Sequence, residues 1–340
     1  MNNKTYIIAE IGCNHNGDFE LAKKMVDVAV DCGVDAVKFQ TFKADKLISK
    51  YAPKAEYQKK TTGEEESQLE MTKKLELSFN EYLEIAEYTK EKGVDVFSTP
   101  FDDESLDFLI STNMAIYKIP SGEITNLPYL EKIGKLNKKV IISTGMAVMS
   151  EIKRAVNILE ENGTKDITIL HCTTEYPTQD QDLNLNVIKT LQKEFPNNDI
   201  GYSDHSIGYE VPTVATALGC TVLEKHFTLD NNMPGPDHKA SANPDILKRL
   251  VSGVRKIEKA MGHYEKIPAE VEINNKIVAR KSIVAKKNIA KGEKFTLDNI
   301  TVKRPGNGIS PMEWYNILGQ SSEQEFTEDQ LISHSKFDNQ

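Results

Sequence analysis

Short runs of apolar, β-prone residues recur from Tyr6 to about Phe227. Each closes on polar residues, and a segment of helical period follows most of them. The runs are YIIAEIG (6–12), AVKFQT (36–41), DVFSTPF (95–101), AIYKIPSGE (115–123), VIISTG (140–145), ITILHCTTEYP (167–177), IGYSDHS (200–206) and TVLEKHF (221–227). Between them Phe19–Cys32, Asn80–Lys92, Met149–Asn162 and Glu210–Leu218 read as amphipathic helices. Strands alternating with helices predict parallel pairing through right-handed crossovers. Runs that are apolar throughout, rather than at every second position, predict strands covered on both faces. The runs number about eight, the strand count of a TIM (β/α)8 barrel. A doubly wound open sheet is the alternative. It is weakened because no GxGxxG follows any run, and because polar residues close nearly all of them, as they do where barrel strand ends converge on one face.

Two intervals depart from the alternation. Phe42–Ser78 is charged, lysine-rich and too long for an ordinary connection, which predicts a lid or a disordered insertion. The barrel pattern ends after the helical PDILKRLVSGVRKIEKAM, so the first domain is expected over 1–262 and a polar linker, with room for a helical turn, over 263–276. Residues 277–340 then show short β-like runs broken by Gly and Lys, a second small β-rich domain marginal on its own core.

Composition narrows the class. With 42 basic against 51 acidic residues the net charge is −9, which argues against nucleic acid or an anionic membrane as the main partner. No apolar run approaches the ~20 residues of a membrane helix. The N-terminal MNNKTYIIAEIG lacks the pattern of a signal peptide. Cys13, Cys32, Cys172 and Cys220 are scattered without a CxxC pair, so the expected compartment is the cytoplasm.

The polar strand ends carry the chemistry. Lys38 and Lys118 sit inside apolar runs, where a lysine rarely goes unpaired. They read either as partners of Glu10 or Glu123, or as a cationic seat for an anionic substrate. Thr99, Ser121 and Ser143 on other strand ends add hydroxyl donors, a set suited to phosphate or carboxylate. His205 and His226 close neighbouring runs. Two imidazoles are too few for a structural zinc site but suit an open site for Mn²⁺, Mg²⁺ or Co²⁺, completed by water and substrate oxygens. Glu224 and Lys225, beside His226, read as scaffold, and Pro234-Gly235-Pro236 as a rigid mount for Asp237.

The motifs AEIGCNHNGD, VKFQTF, STPFD, YKIPSGEITNLP, STGMA, HCTTEYP, GYSDHS, EKHFTLD, GPDHKAS and VKRPGNGIS together resemble the bacterial sialic acid synthases, in order and along nearly the whole chain. The resemblance implies a TIM barrel with a C-terminal antifreeze-like (SAF) domain. It implies condensation of phosphoenolpyruvate with an N-acetylated mannose-type sugar to a nine-carbon 2-keto acid and phosphate. It further implies a divalent cation, Mn²⁺ first, and a domain-swapped homodimer. Carried over residue by residue, phosphoenolpyruvate contacts fall on Lys38, Thr99, Lys118, Ser121, Ser143 and Ser203, and metal ligands on His205 and His226. Sugar contacts fall on Glu10, Gln40, Tyr176, Asp237 and, from a partner's tail, Arg304. Glu10 or the metal would activate the water that adds to the substrate. Thr174 departs from members that carry Asn there to help hold phosphoenolpyruvate.

Phe39 and Phe42 stand where synthases of N-acetylneuraminate often carry histidines. This version is similar to synthases of N,N′-diacetyllegionaminate, whose sugar is 2,4-diacetamido-2,4,6-trideoxymannopyranose. N-acetylneuraminate synthesis from N-acetylmannosamine is the alternative. A metal-dependent aldolase or sugar isomerase on the same barrel, or a binding module in the tail, are more remote readings.

Overall fold

The computed structural model describes residues 4–63 and 65–337. Eight parallel strands form one sheet: β1 (Tyr6–Gly12), β2 (Ala36–Thr41), β3 (Asp95–Pro100), β4 (Ile116–Ile119), β5 (Lys139–Ser143), β6 (Ile167–Cys172), β7 (Asp199–Asp204) and β8 (Val222–His226). The hydrogen-bonded order is β3-β2-β1-β8-β7-β6-β5-β4, and β3 packs beside β4 to close the ring. This is the TIM barrel that the alternation predicts. Several strands stop short of their apolar runs; β4, for example, ends at Ile119 and β6 at Cys172. The residues beyond those points turn out of the ladder to face the mouth.

The outer helices form for the expected reasons. In Met149–Glu161 the buried residues are Ile152, Ala155, Val156 and Leu159, one stripe at helical spacing laid on the sheet. Helix Phe79–Glu91 starts at Ser78, whose hydroxyl accepts from the Glu81 N–H while the Glu81 carboxylate accepts from the Ser78 N–H.

Within the insertion the described residues form short helices, Ala44–Leu47, Glu56–Thr62 and Gln68–Lys73. A buried ammonium fixes the end of the second helix: Lys54 Nζ donates to Thr62 Oγ1 at 3.1 Å and to the Gly63 carbonyl at 3.0 Å, with Glu66 at 3.7 Å. The far end packs on the turn after β1. Gly17 there has φ +74°, and a Cβ would stand 2.6 Å from the Lys74 carbonyl oxygen, so a side chain is excluded twice over.

Register sets the level of the site. Glu10 of β1 pairs with Lys38 of β2 on one side and His226 of β8 on the other, and Ser203 of β7 pairs with Glu224 of β8. Side chains alternate along a strand, so Glu224 and His226 share a face while Lys225 takes the opposite one. There Lys225 meets buried Asp204 at 2.5 Å and donates to the Ser206 carbonyl at 2.7 Å.

The chain divides after Gly262 into two compact units. The second contains helix Ile273–Ala279, which runs across residues 276 and 277, and the antiparallel strands β9 (Ser282–Ala285) and β10 (Ile300–Lys303). Its own core gathers Ile283, Ile289, Phe295, Ile300, Ile317 and Phe326. Among the described residues no helix is long and apolar enough to cross a membrane.

Candidate active site

The strand ends surround a cavity of about 240 Å³ at the mouth of the barrel. Glu10, Lys38, Gln40, Thr99, Lys118, Ser121, Ser143, Tyr176, Ser203, His205 and His226 all line it. Both lysines are buried. Lys38 Nζ lies 2.7 Å from Glu10 Oε1 and 3.7 Å from Glu224 Oε2, and donates to Thr99 Oγ1 at 3.1 Å. Lys118 Nζ donates to Ser143 Oγ at 2.7 Å and lies 3.3 Å from Glu224 Oε1. Ser203 Oγ donates to the same Glu224 oxygen at 3.1 Å.

Glu224 is therefore part of the cavity and not scaffold, and it, rather than Glu123, is the partner of Lys118. Glu123 accepts from Asn126 instead. The signal was available: Glu224 is two positions from His226, hence on the same face. One Glu224 oxygen, Oε2, is buried without a hydrogen-bond partner, as is Oγ1 of Thr174. Thr174 lines the cavity and crowds Gly145, where a Cβ would stand 2.1 Å from its hydroxyl. The Gly145 N–H donates to Ser121 Oγ at 2.9 Å.

Burial works against a charge on Glu10. Lys38 and then His226 and Lys118 overcome it and hold the carboxyl well below the usual carboxylate range. Gln40 Nε2 donates to Glu10 Oε1 at 2.8 Å. The ring centroids of His205 and His226 are 5.4 Å apart. His205 Nδ1 donates to the Thr173 carbonyl at 2.7 Å, which leaves Nε2 as the lone pair of the neutral ring. Burial opposes a charge on His205, but Cys172, the Thr173 carbonyl and Asp204 outweigh it and raise its pKa to about 9. The surroundings of this ring thus favour a positive charge. Burial lowers the pKa of His226 against Glu10 and Asp237, and its buried Nδ1 has no hydrogen-bond partner.

These features fit a cation. Two imidazoles, one oriented by a backbone carbonyl and one with an orphaned nitrogen, stand beside Glu10, with 3.7 Å between His226 Nε2 and Glu10 Oε2. Among the described residues no group of three or more His, Cys, Asp or Glu is arranged to hold a metal, so an ion here would need oxygen ligands from substrate and water.

A second cavity of about 410 Å³ adjoins the first, and Gln40, Tyr57, Phe101, Tyr176 and His226 line both. Asp237 lines only this outer one, beside Cys13, whose thiol donates to it at 3.6 Å. The remaining wall is largely the insertion: Phe42, Leu47, Ile48, Gln58, Gln68, Met71 and Leu75. Phe39 lies elsewhere, buried against the rings of His15 and Tyr82. The Tyr57 ring lies 5.1 Å from that of Tyr176, and Tyr176 lies 4.1 Å from His205, both pairs tilted, so a ring of the insertion is in series with the histidines. Nothing in the local pattern around Tyr57 marks it as a site residue. Arg304 belongs to the second unit, where its Nε donates to the Ala279 carbonyl at 3.0 Å and the Gly306 N–H donates to the Ile277 carbonyl at 2.7 Å.

The barrel, its polar mouth and the paired ammonium groups define an enzyme that handles a small anionic substrate. A model of the NeuB family matches residues 25–266 and one of the SAF domain residues 280–338. The chain is 53% identical to the N,N′-diacetyllegionaminic acid synthase of Campylobacter jejuni over 97% of its length and 99% of that protein. It is 45% identical to the synthase of the same description from Legionella pneumophila, over 92% and 89%. A crystal structure of N-acetylneuraminic acid synthetase from Leptospira borgpetersenii, in complex with citrate, superposes with a TM-score of 0.71 at 36% identity, covering 81% of this chain and 90% of that one. The chain belongs to the NeuB family and carries a SAF domain; it is a phosphoenolpyruvate-dependent, carbon–carbon bond-forming synthase.

Proposed function

We propose that the enzyme condenses phosphoenolpyruvate and water with 2,4-diacetamido-2,4,6-trideoxymannopyranose, giving N,N′-diacetyllegionaminate and phosphate. The observation that carries the choice of sugar is the outer cavity. Its wall of Phe42, Leu47, Ile48, Met71 and Leu75 suits a deoxy, acetylated sugar better than a fully hydroxylated one. Kinship with two diacetyllegionaminic acid synthases supports the same choice.

In this reading the inner cavity holds phosphoenolpyruvate. Lys38 and Lys118 meet its charges, and Thr99, Ser121, Ser143 and Ser203 donate to its oxygens. So fixed, its C3 faces the open-chain aldehyde of the sugar, which Gln40, Tyr176 and Asp237 position from the outer side. The new bond joins C3 to the aldehyde carbon, and positive character develops at C2. Glu10, ionised on the wall of the inner cavity, accepts a proton from the water that adds to C2. The bond between C2 and the phosphate oxygen then breaks as the C2 hydroxyl becomes the ketone; of the two protons of the added water, one ends on the former aldehyde oxygen and the other on the departing phosphate.

A divalent cation, Mn²⁺ or in its place Mg²⁺ or Co²⁺, would be held by His205 and His226 and would polarise the aldehyde. Charge balance supports it. Glu10 and Glu224 already offset Lys38 and Lys118, so a multiply charged anion entering here needs further positive charge.

Arg304 would serve the site of a partner chain in a domain-swapped homodimer of the cytoplasm. Its mounting on a turn tied to helix Ile273–Ala279 supports a presented guanidinium, and four buried free cysteines support a reducing compartment.

The sugar is tested with purified enzyme, phosphoenolpyruvate and each candidate sugar, reading the product by mass spectrometry. Preferred turnover of N-acetylmannosamine would overturn the choice. Sharing of sites is tested by mixing His226→Ala and Arg304→Ala protein, with subunit exchange verified separately. Each variant alone is expected to be dead and the mixture to regain part of the activity, because heterodimers collect both lesions in one site. A dead mixture would refute the swap.

A further inference from the structure

We infer that the side-chain amides of Gln58 and Gln68, on two different helices of the insertion, form an element that reads the second acetamido group of the sugar. The inference rests on the choice of sugar proposed above and assigns part of that choice to particular atoms.

Hydrogen bonds fix which way the two amides face. Oε1 of Gln58 accepts from the Ala55 N–H at 3.0 Å, and a backbone N–H can meet only the oxygen end of the amide. The same oxygen accepts from Gln68 Nε2 at 3.3 Å. The oxygen of Gln58 and a proton of Gln68 are thereby used between the two side chains. The amide nitrogen of Gln58, which also donates to the Tyr57 hydroxyl, keeps its second proton as a donor, and Oε1 of Gln68 remains as an acceptor. Both residues are half-buried and line the outer cavity.

A donor and an acceptor on neighbouring amides are complementary to a secondary amide. An acetamido carbonyl accepts from Gln58 Nε2, and the acetamido N–H donates to Gln68 Oε1. A hydroxyl can also donate and accept, but only through one oxygen, whereas the acetamido group offers its acceptor and its donor on separate atoms, as the two glutamines do. The acetamido methyl then meets an apolar surface, which Met71 and Leu75 supply in the same cavity. The boundary with the inner cavity, formed by Tyr176 and His226, serves the reacting end, so the two acetamido groups are read by different parts of the protein. A site that pairs a substrate's polar group discriminates strongly against an analogue lacking it, because its own groups are left unpaired.

The test compares two sugars that differ at one position. 2,4-Diacetamido-2,4,6-trideoxymannose carries the second acetamido group; 2-acetamido-2,6-dideoxymannose keeps the methyl and has a hydroxyl there. Gln58→Glu preserves the acceptor for the Ala55 N–H, and hence the helix start, but removes the donor. Gln68→Met keeps the bulk and removes the acceptor. The readout is the ratio of kcat/KM for the two sugars, followed by phosphate release. In each variant this ratio is expected to fall about 10- to 100-fold, with the KM for phosphoenolpyruvate unmoved. A ratio that stays at the wild-type value in both variants overturns the inference while leaving the choice of sugar intact. Wild-type enzyme that releases no phosphate with the diacetamido sugar overturns the choice of sugar, and the inference with it.

Discussion

The two adjoining cavities are built on opposite principles. The inner one is made of strand ends at one level of a hydrogen-bonded barrel, and its polar groups are interlocked: Glu10 with Lys38, Lys38 and Lys118 with Glu224, Lys118 with Ser143. The outer one is walled mostly by the insertion, with aliphatic and aromatic side chains and the amides of Gln58 and Gln68. A charge in the inner cavity cannot be moved without stranding its partner in a buried place, which costs several kcal/mol. A side chain in the outer wall can be exchanged with little effect on the barrel. The division suggests where each property of the reaction resides: the bond-making chemistry on the sheet, the choice of acceptor on the insertion.

The division can be broken most severely at the inner site. His226→Ala is expected to reduce turnover by about a thousandfold, several kcal/mol of transition-state stabilisation, while circular dichroism reports a folded barrel. Chelator should silence the wild-type enzyme and Mn²⁺ should restore it. Full activity of His226→Ala in chelator would remove the metal from the scheme.

Next in size is Lys118→Met, which keeps the bulk and strands Glu224. A loss of about 3 kcal/mol in kcat/KM, near a hundredfold, is expected with phosphoenolpyruvate varied. A change confined to the KM of the sugar would reverse the assignment of the cavities.

Smaller still is the outer wall. Phe42→His is expected to shift the ratio of kcat/KM between the trideoxy sugar and N-acetylmannosamine about tenfold toward the latter, with the KM for phosphoenolpyruvate unchanged. A large effect on phosphoenolpyruvate would show that the two cavities do not act separately.

Legibility in the sequence follows the same line. The inner residues stand out because a lysine or histidine closing an apolar run is improbable unless it has a purpose, and eight such runs imply one mouth. Glu224 reads as scaffold beside Lys225 when the two are taken as one polar strand end, but the period-2 alternation of a strand separates them: Lys225 turns to Asp204 and Glu224 to the cavity. The outer wall was nearly illegible. Phe42 stands out beside the VKFQT run, but Leu47, Gln58, Gln68 and Met71 belong to helices of only four to seven residues, too short to show a period. Their meeting depends on contacts such as the Lys54 anchor, which joins residues up to Glu66 and leaves no local pattern. Phe39 shows the converse error: it lies next to Lys38, yet the alternation turns it into the core.

The level shared by Glu10, Lys38 and His226 has a consequence for how such a chain can change length. Gaining or losing one residue within β1, before Glu10, would turn its carboxylate away from both neighbours at once, and no adjustment elsewhere in the sheet could recover it. Residues added or removed between Thr41 and Ser78 leave that alignment untouched. A lineage carrying this barrel can therefore remodel the insertion by insertions and deletions, meeting new acceptor sugars, while the strands beneath accept substitutions alone.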